Sequence, residues 1–181
     1  MSFINKHSKG IRIISIVLLV AAFVLNLIYL LNNNLSTINV IANIICLCAI
    51  IAGLFYTFKD YKKQAANYYK AYIILYVLSR LVYTLAEYRF CITHGTSCLS
   101  AVLNTIVIIC GLCLLLKDLG KNVSLILACV MLAIVAISAA LSAVIYFNSI
   151  YYYAAPAIST TLVVVIFVLA KYADKQARGT K

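Results

Sequence analysis

One short stretch puts chemistry where apolar residues would be expected. Residues 72–90 read YIILYVLSRLVYTLAEYRF, an apolar run interrupted by Arg80 and followed by Glu87. Neighbours on one helix face recur at steps of three and four. From Tyr69, such steps pass through Tyr72, Tyr76, Arg80, Tyr83 and Glu87. One face would therefore carry a ladder of hydroxyls, one guanidinium and one carboxylate. The other carries Ile73, Ile74, Leu78 and Leu81. A guanidinium grips carboxylates or phosphates through two parallel hydrogen bonds. The chemistry this face suggests is recognition of an anion, not bond making.

Bond-making machinery is sparse elsewhere. The chain has four acidic residues and two histidines. It contains no paired carboxylates, no G-x-S-x-G, no phosphate-binding loop and no H-E-x-x-H. Acid–base hydrolysis has few candidate players. No catalytic residue and no cofactor is expected.

The seven cysteines are Cys46, Cys48, Cys91, Cys98, Cys110, Cys113 and Cys129. Cys91 and Cys98 bracket ITHGTS in a short connection, and a disulfide between them is expected on an oxidising side. His94 lies in that connection, but one His and two Cys are no zinc signature, so no metal is expected. Cys110 and Cys113 form a C-x-x-C, which can signal thiol redox chemistry. They lie inside an apolar run, where cysteine serves as a small buried hydrophobe. Cys98 is about 18 Å from Cys110 along a helix, too far for direct thiol exchange. Six-span membrane thiol-electron carriers also keep cysteines within their helices, and the chain resembles them in that respect alone. HGTSC resembles the Cys–His arrangement of membrane peptidases that process signalling peptides, but their glycine pair and longer spacing are absent.

The elements that must hold Arg80 follow from composition. Of 181 residues, 66% are hydrophobic and 10% charged, with a mean hydropathy of +1.07. Soluble domains carry about 25% charged residues. The chain reads as an integral membrane protein in one all-α domain, 1–181. The net charge of +11 does not indicate nucleic-acid binding, because the basic residues form short clusters between apolar runs.

About 20 apolar residues cross the hydrocarbon core. Six runs qualify, at about 11–31, 39–58, 69–88, 99–116, 123–147 and 152–170. The first exceeds a signal-peptide core and lacks a cleavage site. Of the fifteen Lys and Arg, thirteen fall at the N-terminus, the second and fourth connections and the tail. Only Arg89 falls on the opposite side, so both termini are expected in the cytoplasm. Abundant Ile, Asn, Lys and Tyr suggest an AT-rich genome, and so a bacterial cytoplasmic membrane. Tyr151, Tyr152 and Tyr153 fit an interfacial aromatic belt.

Arg80 sits ten residues from Lys70 and nine from Arg89, near the middle of its span. An arginine at that depth costs from about 2.5 to above 10 kcal/mol unless it finds partners. Glu87 is about 10 Å away along the axis, beyond close pairing, and could lie at the outer interface. Tyrosine hydroxyls, Asn26, Asn43 and Asn104 could solvate Arg80 across helices. So could an anionic solute.

Weak internal similarity suggests three helical hairpins in a row. AIIAGLFYTFKDYKKQ resembles VIICGLCLLLKDLGKN, with Gly53 and Gly111 each six residues before a Lys-Asp pair. Mitochondrial carriers are also three hairpins, but their Pro-x-acidic motif is missing. Six spans and small size resemble the substrate-binding subunits of energy-coupling-factor vitamin importers. The six glycines and single proline depart from that group.

Span five carries Ala136, Ala140 and Ala143 at helical spacing, which lets helices approach closely. This face could pack internally, against a second copy or against a partner subunit. The leading expectation is a transport protein or a transporter's substrate-binding membrane subunit. It would hold an anionic or carboxylate-bearing solute at Arg80 among Tyr72, Tyr76, Tyr83, Glu87, Asn26 and Asn104. The alternatives are an accessory, assembly or immunity subunit that docks through helix faces, and a thiol-redox protein.

Overall fold

A computed structural model describes residues 3–32, 36–58, 65–95, 97–115, 119–145 and 150–179. The side chains of Ala143 and of Tyr151, Tyr152 and Tyr153 lie outside the described set, as do several of the basic clusters.

Six helices account for the described residues. They are α1 (Phe3–Asn32), α2 (Thr37–Phe58), α3 (Ala65–His94), α4 (Leu99–Leu114), α5 (Lys121–Ile145) and α6 (Ile150–Gly179). Each matches one expected apolar run. Local chemistry sets several boundaries. Ser36 Oγ accepts from the Asn39 N–H at 3.4 Å ahead of α2, as an N-cap residue does. Gly95 follows α3 with φ +63°, the left-handed conformation that glycine adopts without steric cost at a helix end. A tightened turn, Leu115 N–H to Leu112 O at 3.1 Å, closes α4.

Four helices are long and apolar enough to cross a membrane: Gly10–Leu31, Thr37–Thr57, Lys121–Leu141 and Ala154–Tyr172. The other two depart from the expectation for different reasons. Helix α3 has 30 residues, but Lys70, Arg80, Glu87 and Arg89 fall along it. Helix α4 has 16 residues, about 24 Å of rise against a hydrocarbon core of about 30 Å.

The helices close into a ring. Each packs on its neighbour in sequence, and α6 packs back on α1. In addition, α3 and α6 meet across the middle. The outer surface is apolar, unlike that of a soluble bundle, and polar groups are set into an otherwise apolar core. Ile13, Leu31, Phe55, Leu85, Ile109 and Ile126 point outward. Asn26, Asn43, Ser79, Arg80, Asn104, Thr160 and Thr161 are buried.

Clamps and close approaches hold the ring. Arg12 Nη2 donates to the Thr57 carbonyl at 2.8 Å, tying the start of α1 to the end of α2. Tyr172 donates to Leu119 O at 2.6 Å and pairs with Ser124 at 2.8 Å, tying α6 to α5. Gly53 lies where α1, α2, α3 and α6 converge. A Cβ there would stand 2.9 Å from Leu19, 3.1 Å from Tyr72 and 3.2 Å from Phe167. At Gly111 a Cβ would stand 2.5 Å from Cγ2 of Val77. The paired glycines of the weak repeat thus both admit a side chain of α3. Phe167 packs edge-on against Tyr72 and Tyr56, with ring centroids 4.9 and 4.8 Å apart, and fills the ring on that level.

Val77 is β-branched and stiff at χ1, so it cannot swing away from a new methyl group. Gly111→Ala is expected to destabilise the protein by about 1–3 kcal/mol. The effect would appear as a lowered thermal midpoint in detergent, recovered in large part by adding Val77→Ala. Gly10→Ala, where a Cβ meets nothing within 4 Å, should show no such loss.

Candidate functional site

The polar stripe of α3 faces the interior of the ring, and its principal partner is α6. Tyr72 donates to the Thr160 carbonyl at 2.8 Å. Tyr76 and Thr161 pair through their hydroxyls at 2.7 Å. Arg80 Nη2 donates to the Ala157 carbonyl at 3.0 Å and lies 3.5 Å from Thr161 Oγ1. The guanidinium carbon also lies 5.4 Å from the Tyr76 ring centroid, within cation–π range. Arg80 is 8% exposed.

The α6 sequence prepares this surface. Thr160 returns its hydroxyl hydrogen to the Pro156 carbonyl at 2.8 Å. Thr161 donates to the Ala157 carbonyl at 2.7 Å, so Tyr76 is the donor in its pair with Thr161. These threonines satisfy themselves locally, as Ser and Thr do in helices. They leave oxygens facing α3 as acceptors. A chain of donors on α3 therefore meets a chain of acceptors on α6.

Glu87 belongs to a second cluster. Its carboxylate accepts from Ser100 Oγ at 3.1 Å and from Asn104 Nδ2 at 2.9 Å. Ser100 in turn pairs with Ser138 at 2.8 Å, which joins α3, α4 and α5. The Tyr83 hydroxyl also reaches Glu87, and the Arg80 charge acts on it. Glu87 thus turns toward α4 and is held there. Asn104, 2% exposed, holds this carboxylate.

A cavity of about 50 Å³ opens beside Arg80. Its wall comes from four helices: Asn26 and Tyr29 of α1; Asn39, Ala42, Asn43 and Cys46 of α2; Tyr76, Ser79, Arg80 and Tyr83 of α3; and Pro156, Ala157 and Thr160 of α6. Ser79 fixes one side by donating to the Ala42 carbonyl at 2.8 Å. Asn26 donates to its own helix, at the Ala22 carbonyl, 2.7 Å away. Among the described residues the wall holds one cation and no carboxylate. Tyr72 lies outside this wall, next to Phe167. Of the expected site residues, Arg80, Tyr76, Tyr83 and Asn26 therefore share the cavity. Tyr72 belongs to the seam beyond it, and Glu87 and Asn104 to the second cluster.

Two cavity residues break the rule that buried polar groups find partners. Oδ1 of Asn39 and Oδ1 of Asn43 are buried, with no hydrogen-bond partner among the described residues. Such an orphan costs about 1–3 kcal/mol. The i, i+4 spacing of the two asparagines was visible in the chain, although only Asn43 stood out there, as a candidate to solvate Arg80.

No protein-family model, curated protein or solved structure matches the chain. Any functional reading rests on the site itself.

The cysteines lie mostly apart from it. Cys91 and Cys98 stand beside one another with no disulfide between them. Burial and the adjacent Cys91 thiol push the Cys98 thiol above its ordinary value. Cys110 is buried in the core and Cys113 half-buried. Only Cys46 lines the cavity.

Sequence reasoning identified the α3 stripe but not its partner. The signal was present: Ser159, Thr160 and Thr161 follow Pro156 in an otherwise apolar run. Thr161→Val should leave the Tyr76 hydroxyl without its partner and cost about 1–3 kcal/mol. Tyr76→Phe in the Thr161→Val background should cost far less than in the native chain. Thermal denaturation of the four proteins in detergent gives the cycle, and additive losses would deny the pairing.

Proposed function

We propose that the chain is a small multi-pass membrane protein that binds an anionic or carboxylate-bearing solute in the Arg80 cavity. Its role is that of a transport protein or of the substrate-binding membrane subunit of a transporter. The observation that carries this reading is a buried guanidinium in the wall of a half-open cavity whose described lining holds no carboxylate. An ionisable group inside an apolar helix ring is costly and marks functional positions by default.

The membrane reading rests on the outward apolar side chains, the inward polar ones and the distribution of basic residues. In that reading all six helices span, with both termini in the cytoplasm. Helix α3 crosses because Arg80 and Glu87 turn into the ring, away from lipid. The short α4 is accommodated by local thinning of the bilayer. The cavity then lies in the outer half, because Asn39 and Pro156 occupy the early turns of α2 and α6. The aromatic group of Tyr56, Tyr72 and Phe167 closes the path toward the cytoplasm. A bacterial cytoplasmic membrane is the expected location.

One further observation favours a docking role alongside this one. Ala136 and Ala140 are exposed on the outer face of α5, where a partner helix or a second copy could approach closely.

Two variants separate the readings. Arg80→Gln should abolish binding of radiolabelled carboxylates, or of phosphate, to the purified protein while its thermal transition persists. Ala140→Leu should leave solute binding intact and remove any copurifying subunit. Unchanged binding in Arg80→Gln would refute the solute site.

A further inference from the structure

The cavity has a second pole opposite in kind to Arg80. Asn39 and Asn43 stand one turn apart on α2, and both contribute to the wall. Their Oδ1 atoms are shut away from solvent and accept nothing among the described residues. Asn43 is 6% exposed, so bulk water cannot easily serve it. A buried acceptor without a donor is unfavourable, and one in a cavity wall becomes favourable when a ligand supplies the donor.

The chemistry of the two poles is complementary. An ammonium group carries three donors and no acceptor, which suits two amide oxygens one turn apart. A guanidinium suits a carboxylate or phosphate. Size limits the rest of the molecule. One water needs about 10–15 Å³ of such space, so a cavity of about 50 Å³ admits only a compact ligand.

We propose that the Arg80 cavity takes a small zwitterion, with its anionic group toward Arg80 and its ammonium toward Asn39 and Asn43. This rests on the reading of the cavity as a solute site and narrows it to one class. The same pair of groups occurs in a free amino acid and in the phosphoethanolamine headgroup of a lipid. The α2 amides set the specificity, because Arg80 alone would accept any small anion.

The test uses the full chain purified in detergent, titrated with glycine and L-alanine, with acetate and with ethylamine. Each amino acid should bind at least about tenfold more tightly than either single-pole probe, as a charged hydrogen bond provides. Asn43→Leu should reduce glycine affinity to that of acetate and leave acetate affinity unchanged. Its thermal midpoint should hold or rise, because an orphan acceptor is removed. A clear fall in that midpoint would mark Asn43 as structural and overturn the proposal. Native mass spectrometry of the protein in phosphatidylethanolamine nanodiscs separates the sources. A retained lipid that Asn43→Leu releases, with no amino-acid binding, would support the zwitterion site and assign it to the headgroup. Equal affinity for acetate and glycine, lost in Arg80→Gln, would overturn the zwitterion inference but leave the anion site standing. Binding of none of these probes would overturn both.

Discussion

A guanidinium cannot be left without hydrogen-bond partners inside a ring of apolar helices. Here the partner is the backbone of α6. The Ala157 carbonyl receives Arg80 as well as the Thr161 hydroxyl, the Thr160 carbonyl receives Tyr72, and the Thr161 oxygen receives Tyr76. This seam draws α3 and α6 together across the middle of the ring, where sequence neighbours alone would leave them apart. The remaining packing follows from that approach. Gly53 must lack a side chain because Tyr72 and Phe167 meet beside it. Gly111 must lack one because Val77, on a neighbouring face of α3, fills its place.

The polar interior is divided into parts that behave differently. Toward α6 each of the donors Tyr72, Tyr76 and Arg80 finds an acceptor, which makes that seam structural. Toward α4 and α5, Glu87 is matched by Asn104 and Ser100. Between α1, α2, α3 and α6 the matching fails, at Asn39 and Asn43. Among the described residues these two acceptors in the cavity wall are left without a donor, which is the ground for the binding site proposed above. Strain or unmet polar groups at functional positions are tolerated because the rest of the fold supplies the stability.

Much of this architecture could be read from the residues alone. Helix count and approximate limits followed from apolar runs broken by Asn, Ser, Gly and Lys, since unbroken apolar stretches leave the backbone no alternative but internal hydrogen bonding. The Tyr72–Tyr76–Arg80 face followed from helical spacing. Residue spacing could not say which helix stands opposite a given face, because that depends on the ring order of all six. Asn104 was therefore assigned to Arg80 when it serves Glu87, and Thr160 and Thr161 went unnoticed. Of the charged residues that lower the hydropathy of α3, Arg80 is buried in the ring while Lys70 and Arg89 are exposed.

The most direct test of the central claim is the contact between Arg80 and Ala157 in a bilayer. Solid-state NMR of protein carrying ¹³C-carbonyl alanine and ¹⁵N-arginine can measure it. With Nη2 3.0 Å from the Ala157 oxygen, and a C=O bond of about 1.23 Å, the nitrogen should lie about 4 Å from the carbonyl carbon. The account predicts a resolved dipolar contact at that distance, assigned to Ala157 by its loss in Arg80→Lys, and slow exchange of the guanidinium protons with water. Its absence, with an Arg80 guanidinium that exchanges as freely as that of the exposed Arg89, would contradict it.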